Sequence, residues 1–205
     1  MRTRADIECW LTDMDGVLVH ENTPVPGAAA LLQQWRDQGT PFLVLTNNSI
    51  FTPRDLSARL RSSGLVVPEG AIWTSALATA DFLHSQAPGA SAFVIGEAGL
   101  TTALHEAGFI MTETDPDYVV VGETRNYSFE AITKAIRFIA ERNIIGFGLP
   151  TTYGCLPVAF SIIAAMAPVA GRTPSADGPV ASGFVAMNRA PAPMNRIAFV
   201  MASNE

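Results

Sequence analysis

The stretch Leu11-Thr12-Asp13-Met14-Asp15-Gly16-Val17-Leu18 decides how this 205-residue chain is read. An apolar run beginning at Ile7 ends in two carboxylates two residues apart, and Gly16 follows at once. A strand that stops in this way leaves both acids on the loop beyond its carboxyl end, which is where open α/β sheets bind ligands. Carboxylates held that close repel each other unless a cation lies between them or one keeps its proton. The stretch is therefore a candidate metal site, with an acidic surface turn as the alternative reading. An EF-hand is excluded: a calcium loop needs an oxygen ligand at its fifth position and glycine at its sixth, and Val17 and Leu18 stand there.

The bulk composition narrows the function classes. A hydrophobic content of 48% can build a sizeable core. A net charge of -6 and a pI near 5.0 argue against a phosphate-backbone binder, so no nucleic acid partner is expected. The two cysteines, Cys9 inside the first predicted strand and Cys155 far from it, make neither a disulfide framework nor a zinc cluster. The opening Met1-Arg2-Thr3-Arg4-Ala5-Asp6 has no apolar segment or cleavage site, so no signal peptide is expected and the cytoplasm is the default compartment.

Working outward from the acidic loop, Ile7 to Thr12 reads as a buried strand. Pro26-Gly27 opens a helix through Ala30, Leu31 and Trp35 that ends at Gly39, and Phe42 to Leu45 is a second apolar strand. Thr52-Pro53-Arg54-Asp55 offers an N-cap, a proline at the first helical position and an acid in the first turn, starting a helix that stops at Gly64. Ala71 to Thr74 is a third strand. Continuous apolar strands separated by helices mean a parallel sheet covered on both faces.

From Ser75, read as a helix cap, the alternation continues in a second unit. Its helices run through Leu83, from Leu100 to Ala107 and from Ser128 to Glu141, and its strands span Ala92 to Ile95 and Tyr118 to Val121. Ile132, Ala135, Ile136 and Ile139 form a one-sided stripe on the last helix. Gly96-Glu97-Ala98-Gly99 lacks the Lys-Ser/Thr ending of a phosphate loop and reads as a plain turn. His20, His84 and His105 are scattered without ligand spacing.

After Arg142 the composition shifts. Residues 1–142 carry 10 basic and 17 acidic side chains, whereas residues 143–205 carry only Arg172, Arg189, Arg196, Asp177 and Glu205. The uncharged run from Asn143 to Gly171 is long enough to span a bilayer. Its prolines and glycines, and the lack of a flanking basic cluster, argue against a spanning helix, so no membrane partner is expected.

At the end of the second strand, Leu45-Thr46-Asn47-Asn48-Ser49 places a hydroxyl, amides and backbone N–H groups on the same carboxyl edge as Asp13. Such donors suit phosphoryl oxygens, and they also suit an ordinary strand-to-helix turn. D-M-D-G-V-L, P-V-P-G-A and L-T-N-N-S, taken together and in this order, resemble the haloacid dehalogenase superfamily. The later T-S-A-L-A-T-A-D-F-L, V-I-G-E-A-G-L and D-Y-V-V-V-G-E-T-R-N-Y-S-F-E resemble its NagD-like subfamily, phosphatases with a large α/β cap. The resemblance runs from about Ile7 to Glu141. It implies an α/β fold, a Rossmann-like parallel sheet with an inserted α/β cap. Residues 1–75 would be the first half of the core, 76–142 the cap, and 143–205 a diverged or frame-shifted tail or the remainder of the cap.

The resemblance also implies roles for single residues. Asp13 would be the nucleophile that forms an aspartyl-phosphate, and Asp15 the acid/base. The Asp13 side chain and the Asp15 main-chain carbonyl would bind Mg²⁺, and Thr46 and Asn47 would hold the transferring phosphoryl group. An Asp at the position of Asp15 goes with phosphatases of the superfamily. The implied activity is hydrolysis of a small phosphorylated metabolite, a nucleotide or sugar phosphate, with self-association into a homo-oligomer left open.

The end of the chain departs from this pattern. The family's late lysine, usually in G-K-P, and its G-D-x-x-x-D pair are absent: Lys134 is the only lysine, and Asp177 the only Asp after Asp117. Without those charges a crowd of phosphate and carboxylates lacks much of its electrostatic stabilisation. The missing half would also flank the first strand, so an open edge is expected there. A catalytically inactive binding protein and a nonfunctional truncated fragment therefore stand beside the phosphatase reading.

Overall fold

A computed structural model describes residues 9–142, 145–148 and 197–200. Strand β1 (Cys9–Asp13) is followed by a two-stranded antiparallel hairpin of β2 (Val19–His20) and β3 (Thr23–Pro24). Helix α1 (Ala28–Asp37), strand β4 (Phe42–Thr46), helix α2 (Pro53–Ser62), a 3₁₀ turn at Glu69–Ala71 and strand β5 (Ile72–Thr74) come next. The chain continues through α3 (Ser75–Gln86), β6 (Ser91–Ile95), α4 (Ala98–Glu106), β7 (Ile110–Met111), β8 (Tyr118–Val121), α5 (Phe129–Arg142), β9 (Ile145–Gly148) and β10 (Ile197–Val200).

These residues fall into two compact units. The first comprises residues 9–46, Pro53–Thr74 and β10. Its sheet is parallel throughout, in the order β10-β1-β4-β5. The expected open edge beside β1 is corrected here: β10 pairs with it from Cys9↔Ile197 to Thr12↔Val200. Four residues suffice to pair with that edge, and so short an apolar run, directly after Arg196, does not stand out as a strand in the tail. On the other side of β1 the register runs from Trp10↔Phe42 to Asp13↔Leu45.

Helix α1 docks through Trp35, whose ring stacks on Trp10 at 5.6 Å and meets Phe42 at 5.4 Å. Its buried face is Ala28, Leu32 and Trp35; Ala30, expected in the stripe, is exposed. Helix α2 begins at Pro53, carries Asp55 in its first turn and Arg59 and Arg61 in its last, and so complements its own dipole.

The second unit comprises Asn47–Thr52, residues 75–142 and β9. Its sheet, in the order β7-β6-β8-β9, is also parallel. Period-two alternation divides its side chains between two faces. Ala92 and Val120 pack with Ala76, Ala80 and Leu83 of α3 and with Leu100, Ala103 and Leu104 of α4. Phe93, Ile95, Val119 and Val121 pack with Ala135 and Ile139 of α5. The α5 stripe is rotated from expectation: Ile136 is exposed, and Ala131 and Phe138 lie against the cluster instead. Ser128 accepts the Ala131 N–H at 3.0 Å, as an N-cap does.

The tail residues Cys155, Arg172, Asp177, Arg189 and Arg196 lie outside the described residues. So do Ile7, the expected start of the first strand, and most of the uncharged run. Among the described residues, no helix is long and apolar enough to cross a membrane.

Candidate active site

Asp13 is the last residue of β1 and Asp15 stands two residues beyond, on the loop that Gly16 turns. Gly16 has φ +79°, in the left-handed region where a Cβ is strained, and its N–H donates to the Val19 carbonyl at 2.7 Å. The N–H groups of Leu18 and Val19 both donate to the Met14 carbonyl, at 3.0 and 3.1 Å. This small knot is anchored by Met14 and Leu18, which are buried, so the loop leaves both acids exposed.

The Met14 N–H is shared. It donates to the Leu45 carbonyl at 3.0 Å, extending the ladder to β4, and to Asp13 Oδ1 at 2.8 Å. Although Asp13 opens to solvent, the protein around it desolvates the carboxylate and raises its pKa, against the lowering effect of hydrogen bonds from the Met14 and Asp15 main chain.

Thr46, the last residue of β4, is buried, and its hydroxyl donates to Asp15 Oδ2 at 3.4 Å. The register that sets Asp13 opposite Leu45 brings the Thr46 side chain to the acidic loop. Asp13, Asp15 and Thr46 thus belong to one unit, at the carboxyl ends of adjacent parallel strands. Asn47, next in the chain, belongs to the second unit, where its carbonyl accepts the Ser75 hydroxyl at 2.7 Å. Ser75, expected as a helix cap, is the first residue of α3.

Sequence reasoning read Asn48 and Ser49 only as part of a donor-rich strand-to-helix turn, and Gly99 only as part of a plain turn. Asn48 Oδ1 accepts the N–H groups of Ile50 at 3.1 Å and Phe51 at 3.0 Å, and Ser49 is wholly buried. The polar run T-N-N-S signals a turn, but nothing in it says what the turn packs against. Lys134, the chain's one lysine, pairs with Glu113 at 2.6 Å and lies over the rings of Phe93 and Phe138. His84 Nδ1 donates to the Ala107 carbonyl at 2.8 Å, on the surface of its helix.

The donor set at the acidic loop fits a hard divalent cation. Mg²⁺ takes oxygen ligands, keeps several waters and is held by one or two carboxylates together with substrate phosphate. The two carboxylates are offered on one short, tightly bonded loop. Among the described residues there is no group of three or more His, Cys, Asp or Glu side chains that could hold a metal.

Comparison with known proteins gives a consistent family. The model of the haloacid dehalogenase-like hydrolases matches residues 10–110. A dihydroxyacetone phosphatase of Corynebacterium glutamicum is 53% identical over 173 residues, covering 80% of this chain and 62% of that protein. The ribonucleotide monophosphatase NagD of Escherichia coli K12 is 41% identical over 166 residues, covering 80% of this chain and 66% of that protein. The solved structure of NagD from the K-12 strain superposes with a TM-score of 0.77 at 36% identity, covering 94% of this chain and 78% of that one. A glycerol phosphate phosphatase of Mycobacterium tuberculosis, solved in complex with magnesium, has a TM-score of 0.70 at 28% identity, covering 82% of this chain and 53% of that one. The chain thus spans a little under two thirds of the length of these two curated relatives. With the acidic loop, the strand order and these likenesses in agreement, the chain belongs to the haloacid dehalogenase-like hydrolases.

Proposed function

We propose that the site hydrolyses small phosphate monoesters with Asp13 as nucleophile and Mg²⁺ as cofactor. The observation that carries the reading is the meeting at 3.4 Å of Thr46, at the end of β4, with Asp15, on the loop two residues beyond Asp13 at the end of the adjacent parallel strand β1. The substrate class, phosphate esters of sugars, trioses or nucleotides, is supported by the names of the relatives: dihydroxyacetone phosphatase, ribonucleotide monophosphatase and acid sugar phosphatase.

In this reading an Asp13 oxygen attacks phosphorus, the bond to the ester oxygen breaks, and Asp15 gives the departing oxygen its proton. Asp15 then takes a proton from water as that water attacks the aspartyl-phosphate, and phosphate leaves with Asp13 regenerated. Thr46 and the Asn47 main chain hold phosphoryl oxygens through charge-assisted hydrogen bonds. The Asp13 carboxylate and the Asp15 main-chain carbonyl would hold Mg²⁺, which would supply charge neutralisation.

A second reading, a phosphoryl-binding protein with little turnover, is favoured by one observation. Lys134 is committed to Glu113, so the late lysine typical of the family has no counterpart in this chain's only lysine. Losing one preorganised charge costs about a hundredfold to a thousandfold in rate. Phosphate release from an aryl phosphate, measured on the whole chain with Mg²⁺, tests the choice. The expected result is slow release that Asp13→Asn abolishes. Release untouched by that substitution overturns the assignment of Asp13, and tight phosphate binding without release selects the second reading.

A further inference from the structure

We propose that Gly99 is a positioning residue for phosphoryl binding, acting through the loop that follows Thr46. The inference rests on the reading above, in which Thr46 and Asn47 hold the phosphoryl group. Asn47–Thr52 belongs to the second unit, and three hydrogen bonds tie it to other residues of that unit. The Gly99 N–H donates to the Ile50 carbonyl at 2.8 Å, and the Glu123 N–H donates to Ser49 Oγ at 3.1 Å. The Ser75 hydroxyl holds the Asn47 carbonyl at 2.7 Å.

Gly99 lies inside α4 with ordinary helical backbone, so its glycine is not explained by a left-handed turn. Space explains it. A Cβ at this position would lie 2.6 Å from the Ser49 carbonyl oxygen and 2.6 Å from that of Phe51. Both are main-chain atoms of the loop, so no side-chain rotation relieves the overlap; either the loop or the start of α4 must move. Gly122 closes the other side, where a Cβ would come within 3.4 Å of Ser49 Oγ and 2.8 Å of Leu100. Gly96-Glu97-Ala98-Gly99, expected as a plain turn, runs into the first residues of α4, and its Gly99 is a seat for the loop. Because Asn47 is the first residue of that loop, a displaced loop carries the Asn47 N–H away from its working position.

The test is calorimetric titration of the whole chain with inorganic phosphate in Mg²⁺, with amide exchange followed at Ile50 and Phe51. Gly99→Ala is expected to weaken phosphate by about tenfold or more, the scale of one charge-assisted hydrogen bond. It should also speed exchange at those two amides while the sheet amides keep their protection. Thr46→Ala combined with Gly99→Ala is expected to be much less than additive, since both act on one stretch of chain; a purely structural effect of Gly99 would add in full and would overturn the proposal. A wild-type affinity that Thr46→Ala lowers and Gly99→Ala leaves unchanged overturns the proposal alone. A wild-type chain that binds no phosphate, or a Thr46→Ala chain that binds as well as wild type, overturns the phosphoryl-site reading and the proposal with it. Should Gly99→Ala fail to fold, Ser49→Ala serves instead: it removes only the acceptor of the Glu123 N–H, a severalfold weakening is expected, and an unchanged affinity counts against the proposal.

Discussion

At Asp13 two influences oppose each other: desolvation raises the carboxyl pKa, and the Met14 and Asp15 main chain pulls it back, with desolvation the larger. An acid whose folded-state pKa is raised contributes stability that is whole below its unfolded value of about 3.9 and is lost as pH rises through the folded value. Ionised Asp13 therefore costs stability at neutral pH when no metal is bound. In chelator at pH 7, Asp13→Asn should melt above wild type, and the gap should close as the pH is lowered towards about 4. Thermal melts at the two pH values check this, and a variant that melts lower at pH 7 would count against it. Asp13, Asp15, Gly16 and Thr46 were legible in the sequence because their signal is local: acids, a turn glycine and a hydroxyl at strand ends. Gly99 was not, because the contact that demands glycine comes from residues about fifty positions earlier in the chain.

At the scale of elements, strand and helix order followed from apolar runs and their punctuation, and Tyr118–Val121 has the bounds its apolar run suggested. The facing of helices was less legible. On α5, Ile132, Ala135, Ile136 and Ile139 satisfy a helical period, yet the sheet selects Ala135 and Ile139, with Ala131 and Phe138 beside them, and leaves Ile136 at the surface. A stripe wider than the available contact does not say which of its edges is buried; the partner surface does. Ile139→Ala should then cost about 2–5 kcal/mol, whereas Ile136→Ala should stay within about 0.5 kcal/mol of wild type. Urea unfolding of the two variants measures the difference, and equal losses would contradict the assigned face. Very short strands escape reading for a related reason: β7 has two residues, too few to show a period.

For the whole molecule, the alternation of apolar strands and helices announced two parallel α/β units, while the pairing of β10 with β1 was invisible because it joins residues nearly two hundred positions apart. That pairing changes the expectation for the first sheet, whose strand β1 lies between β4 and β10 rather than at an edge. In the proposed reading the chemistry rests on the acidic loop, since the late lysine and acidic pair expected from the family resemblance are not found in this sequence. The central claim is that Asp13 takes the phosphoryl group. Its most direct test is acid quenching of Asp15→Asn after mixing with an aryl phosphate and Mg²⁺, followed by peptide mass mapping. An aryl leaving group needs little protonation, so loss of the acid/base residue should slow the water step more than the attack. The expected result is one phosphoryl group on the peptide that contains Asp13, absent from the Asp13→Asn, Asp15→Asn double variant. A phosphoryl group elsewhere in the chain, or phosphate release with none on that peptide at any time, would contradict it.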